Sequence, residues 1–212
     1  MPSSAISAQN SILAIGTGTG GAKTLTAIAL GNPTILTSTA HGLNNGDVVT
    51  LAGLTGVNAS VLNGLNFTVK NKTTNTFAID ADTTGLAITA SGTATPITFT
   101  NVANLKTYSG FDGSASEIDV TNLDSTAKEF RLGLVDPGQF SIEIDYDGAN
   151  AGHVALRAKQ VSGVITPFKV TLPNASVITF NGFVKKFSLA GGVDAVIKTS
   201  VDIRISGAVT GL

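Results

Sequence analysis

The chain has 212 residues, room for one generous domain or two small ones with a proper core. Charged residues make up only 13% and the formal net charge is -1. With no basic run, this balance argues against tight sequence-independent binding of nucleic acid, which needs clustered Lys and Arg. No cysteine is present, so disulfides and thiolate metal sites are excluded, and two histidines, His41 and His153, are too few for a histidine-rich zinc site.

Hydrophobic residues reach 42%, so so few charges leave the surface to Thr, Ser, Asn and Gly, as expected where other copies or partners cover it. The start, "MPSSAISAQNSILAIG", has no positive region before an apolar core, and no stretch approaches the roughly 18 apolar residues of a membrane span. The expectation is a soluble product made in the cytoplasm, with no membrane insertion.

"IGTGTGGAKT", residues 15–24, carries Gly16, Gly18 and Gly21 on a G-x-G-x-x-G spacing. A dinucleotide loop would need a helix directly after it, yet "TLTAIALGNP" breaks too soon, and Ala22 stands where a P-loop needs glycine before Lys23. The segment reads as a flexible loop between strands. After it, "DVVTLAG", "NFTVKN", "TFAIDAD", "AITASGTA" and "PITFTNV" alternate β-branched and polar residues at short intervals, with turns at Asn45-Gly46 and "NKTTNT". These strands suit a small antiparallel barrel or sandwich, placed as an inserted module over residues 23–98, with residues 1–22 and 99–212 forming the larger domain.

Longer strands follow: "SEIDVTNL", "FSIEIDYD", "PFKVTLP", "VITFNGFVKKFS" and "AVIKTSVDIRISGAV". In the last, Ile197, Thr199, Val201, Ile203 and Ile205 share one face, and Lys198, Ser200, Asp202 and Arg204 the other. "NAGHVALRAKQVSG" predicts a helix capped by Asn150, with an apolar stripe of Val154, Ala155, Leu156, Ala158 and Val161, ended by Gly163. A shorter helical turn is expected at Asp124 in "DSTAKEF".

Period two also places Glu143, Asp145 and Asp147 on one face. No histidine, nucleophile or glycine-framed loop joins them, so neither a general acid–base pair nor a calcium site is supported, and a solvated strand face is the plain reading. His41 and His153 have no evident acid or nucleophile partner and read as structural. No catalytic residue, cofactor or metal site is expected.

"GFDGSASEIDVTNLDSTAKEFRLGLVDPGQFSIEIDYD", with "HVALRA", "FKVTLP", "ITFNGFVKKFS" and "SVDIRISG" after it, resembles the tail tube proteins of long non-contractile-tailed bacteriophages. "TAHGLNNGDVVTLAGLTG" and "LNGLNFTVKNKTTNTFAI" resemble a small all-β module similar to the first catalytic cysteine half-domain of ubiquitin-activating enzymes; without cysteine, no ubiquitin chemistry is implied. The resemblance implies a mainly β, tail-tube-type sandwich with one flanking helix, six copies to a ring, and rings stacked into a hollow tube that DNA crosses without specific binding. It implies a virion-tail location and tape-measure, tail tip and terminator proteins as partners. Under it, Glu143, Asp145, Asp147, or Glu117 and Asp119, would face the lumen, and Lys198, Asp202 and Arg204 would contact neighbouring subunits. The rival reading, a β-sandwich that binds carbohydrate, predicts aromatic loop tips, and the chain has no Trp and only Tyr108 and Tyr146.

Overall fold

The structure is a computed structural model that describes residues 5–211. In chain order its elements are β1 (Ile12–Thr19), β2 (Lys23–Thr24), β3 (Ala27–Ala29), β4 (Thr34–Thr37), β5 (Val48–Ala52), a 3-10 turn (Ala59–Val61), β6 (Asn66–Thr68), β7 (Thr76–Ile79) and β8 (Thr93–Val102). There follow β9 (Leu105–Gly110), β10 (Ala115–Asp119), β11 (Phe130–Val135), β12 (Gln139–Asp145), α1 (Ala151–Ser162), β13 (Thr166–Thr171), β14 (Val177–Ala190) and β15 (Lys198–Ile205). The fold is mainly β. The chain divides into two compact units, one holding the described residues up to Asn101 with Pro167–Thr179 and the segment from Thr210, the other holding Val102–Thr166 and Phe180–Val209.

In the first unit the strands run in the order β6-β5-β8-β1-β13, with β2 also paired to β8. The glycine-rich stretch expected as a flexible loop is instead largely strand β1, antiparallel to β13 with Ile15 opposite Phe168. Its glycines answer to packing, since a Cβ on Gly16 would stand 2.7 Å from Pro167 Cγ. A bare backbone lets a strand sit where a neighbour comes this close.

Strands β3, β4 and β7 form a second sheet. The short strands therefore do not close into a barrel: they make two layers, joined on one side by an isolated Lys70–Ala78 bridge. Leu36, Phe77 and Ile79 from one layer pack with Val49, Leu51 and Ala94 from the other, all fully buried. Each large side chain removed from water in this way contributes about 1.5–3 kcal/mol before entropy is counted.

In the second unit the order is β14-β15-β12-β9. Thr199, Val201, Ile203 and Ile205 of β15 point inward, as their alternation predicts, and Phe140, Ile142 and Ile144 of β12 join them. The Phe140 ring meets Phe111 and Phe180 at 5.2 Å each. Helix α1 begins where expected: the Asn150 side chain accepts from the backbone N–H groups of Gly152 and His153, and Gly163 ends it in the left-handed region. Its buried residues are Gly152, His153 and Leu156, while Val154 and Val161 of the expected stripe stay exposed. The helix docks by its first turns around a polar side chain, and counting apolar residues does not reveal that.

No helical turn forms at Asp124. The backbone N–H of Asp124 donates to Asn122 Oδ1 at 2.8 Å and that of Glu129 to Thr121 Oγ1 at 3.0 Å. Side chains of this type compete with helical backbone bonds and favour turns. The result is a loop closing the β10–β11 hairpin, a two-stranded sheet of its own.

Candidate assembly surface

Strands β12 and β15 are antiparallel neighbours with Ser141 opposite Asp202, Glu143 opposite Ser200, and Asp145 opposite Lys198. Opposed residues share a face. The structure thus brings Glu143 and Asp145 together with Lys198, Asp202 and Arg204 on one polar surface. The surface is not acidic overall: Lys106 pairs with Asp145 at 2.9 Å, and Lys186 lies 3.9 Å from Asp202. Asp202 also accepts a hydrogen bond from Ser141 Oγ at 2.8 Å. Arg204 pairs with Asp136.

Asp147 does not continue this face, because β12 ends at Asp145. Its carboxylate accepts from the Ala149 N–H at 2.9 Å and shapes the turn into α1. Glu117 and Asp119 sit apart on β10, exposed, opposite Leu132 and Phe130 of β11. The Thr121 hydroxyl and backbone N–H hold the Asp119 carboxyl below its ordinary value. The Gly138 N–H, then Arg204, do the same for Asp136.

The β10–β11 hairpin carries the feature that sequence reading passed over. Phe130, Leu132, Leu134 and Val135 are all exposed, Leu132 at 77% and Leu134 at 93%, and Ile118 is exposed on the other face of the hairpin, opposite Arg131. The run "FRLGLV" places apolar side chains at alternate positions, a legible strand signal, but sequence does not say that the strand has only one partner. A neck holds this arm: a Cβ on Gly113 would fall 1.6 Å from the Asp136 carbonyl oxygen.

Both histidines are buried. His153 Nδ1 accepts from the Asp147 N–H at 3.0 Å, so Nε2 carries the proton and donates to the Ala103 carbonyl at 2.8 Å. His41 Nδ1 likewise accepts from the Leu43 N–H at 3.0 Å, and Nε2 faces the Thr76 carbonyl. With both nitrogens committed, neither ring is placed to act on a substrate. Among the described residues no group of three or more His, Cys, Asp or Glu gathers that could hold a metal ion. No helix there is long and apolar enough to cross a membrane.

A family model described as "Phage tail tube, TTP, lambda-like" matches residues 67–175, just over half of the chain. The chain belongs to the lambda-like phage tail tube family. This tail tube protein is a structural component of the virion tail. A second model, the FCCH domain of ubiquitin-activating enzyme E1, matches residues 31–98. The protein is similar to "Structural protein 3" of Pseudomonas phage PAJU2, with 26% identity over 129 residues covering 50% of this chain and 79% of the relative. Among solved structures it is similar to chains of the tail of an empty gene transfer agent particle and of the virion of the native particle. Both match at 19% identity and TM-score 0.46, covering 54% of this chain and 86% and 88% of theirs.

Proposed function

We propose that this tail tube protein assembles with copies of itself into hexameric rings that stack into a hollow tube, through which phage DNA passes. The observation that carries the reading is the β10–β11 arm, whose apolar side chains stand in water in the isolated subunit. Burying each of these large side chains against another copy would contribute about 1.5–3 kcal/mol. An exposed patch of this kind on a protein of this family is an assembly surface. Edge strand β9 offers a second contact, with its free side open to a strand of the next copy.

In this reading the polar face of β12 and β15 lines the bore, with Glu143 and Asp145 among its acids and Lys198, Asp202 and Arg204 beside them. Its near-balanced charge leaves DNA few counterions to release, so the duplex slides without sticking. Glu117 and Asp119 belong to the arm and help orient it between copies. Residues 23–98 form the inserted module and project from the outer wall. The protein works without catalysis or cofactor, and the tape-measure, tail tip and terminator proteins are its partners at the bore and the two ends.

The test is electron microscopy and sedimentation of the protein at rising concentration, wild type beside Leu132→Ser/Leu134→Ser. The expected result is tubes or stacked rings for the wild type and a folded, unassembled double variant. Tubes formed equally by both would remove the arm from the interface.

A further inference from the structure

The first unit contains a cleft of about 280 Å³ whose lining includes Asn45, Gly46, Thr68, Lys70, Asn71 and Val177. Three stretches build it: the turn before β5, the chain leaving β6, and the turn between β13 and β14. Each wall is fixed. The Gly46 N–H donates to the Val69 carbonyl at 2.9 Å. Thr68 Oγ1 lies 2.6 Å from Thr179 Oγ1, which in turn lies 2.6 Å from Thr210 Oγ1. Gly46 keeps the floor open, since it has φ +87 and a Cβ there would come within 3.4 Å of Val177 Cγ2.

The chemistry of the lining narrows what fits. No carboxylate lines the cleft, which excludes a metal cation. The lining's charged group, Lys70, is already paired with Asp80, which leaves nothing to hold an anion. No aromatic face is present for a nucleobase or a flat ring. What remains is two side-chain amides beside the apolar Val69, Ala175 and Val177, since the Thr68 hydroxyl is taken up by Thr179. Asn45 Oδ1 accepts from the Lys72 N–H at 3.0 Å, so its NH₂ group is the end left to donate. The Asn71 carboxamide makes no hydrogen bond among the described residues, so it offers both a donor and an acceptor.

We propose that this cleft binds a neutral, hydroxyl-rich small molecule of monosaccharide size, with Asn71 and Asn45 bonding adjacent hydroxyls and the Val177 side chain covering the ring. At about 280 Å³ the volume lies just below the roughly 300–1,000 Å³ of sites for drug-sized molecules, which limits the occupant to a single small ring. Without an aromatic platform the single-site affinity is millimolar, and a tube carrying many copies converts it to useful avidity. The site lies within the first unit, between residues 45–71 and the turn that joins β13 to β14; single-site binding stands apart from assembly, and only the avidity rests on the tube proposed above.

The experiment is saturation-transfer-difference NMR on the full chain with D-glucose, D-galactose and N-acetyl-D-glucosamine, each titrated to roughly 50 mM, for the wild type, Asn71→Ala and Asn71→Asp. The expected result is a saturable signal with at least one sugar, weakened about three- to tenfold by Asn71→Ala, the loss of about one hydrogen bond's worth of binding. Asn71→Asp, which tolerates the same backbone conformation, keeps the fold and also weakens binding. Absence of a saturable signal with all three sugars overturns the proposal, as does a signal unchanged in both variants. Sedimentation of the same variants, expected to match the wild type, separates this result from any failure of assembly.

Discussion

Ser141 on β12 donates its hydroxyl to Asp202, directly opposite on β15, at 2.8 Å. That bond pins two strands whose polar residues, assigned separate roles from sequence, occupy one surface. Acids and bases there largely offset one another, with Lys106 on Asp145 and Lys186 near Asp202.

On the proposal that this face lines the bore, raising its positive charge should make tubes hold DNA. Glu143→Lys with Ser200→Lys places two new cations opposite each other. Tubes of this variant should retain duplex DNA in a filter assay, with retention falling steeply as salt rises. Retention equal to that of wild-type tubes would place the face elsewhere than the bore.

His153 is a core residue with both ring nitrogens bonded to backbone. His153→Ala leaves the Asp147 N–H and the Ala103 carbonyl unpaired, at about 1–3 kcal/mol each. Urea denaturation should show a loss of about 2–6 kcal/mol, against about 1 kcal/mol for removing the helix cap with Asn150→Ala. Equal losses would show that the imidazole does not anchor the helix.

The Asp136 carboxyl is held below its ordinary 3.8 by the Gly138 N–H and by Arg204. A carboxyl whose folded pKa is depressed adds stability above its unfolded pKa, and that stability is lost as pH falls through the folded value. The stability difference between wild type and Asp136→Asn should therefore be present at neutral pH and vanish on acidification below about pH 4. The group is exposed, so the difference is small. A difference that grows on acidification would contradict the assignment.

Gly113 has no room for a side chain beside the Asp136 carbonyl. Gly113→Val should leave the β12–β15 sheet folded and release the arm, read as selective loss of amide protection in residues 115–135 on hydrogen exchange. It should also abolish tube formation. Unchanged protection would show that the neck accommodates the side chain.

Sequence by itself determined the mainly β class, the cap and end of the helix at Asn150 and Gly163, and the two faces of β15. Each depends on local rules: period two in strands, a capping oxygen, a glycine at positive φ. The same rules covered the family signature, since "SEIDVTNLDSTAKEF" and its neighbours are contiguous in the chain. Tertiary structure alone decided what depends on neighbours far apart in sequence. Gly16 became part of a strand because Pro167 lies against it. The helix chose His153 over Val161 for burial because Ala103 and Asp147 supply both partners of the ring. Glu143 and Asp202 came to share a face because β12 and β15, more than fifty residues apart, pair in one register. Exposure of the arm followed likewise, for hydrophobicity states only that a side chain gains from burial, and topology decides whether this chain or another copy provides the cover.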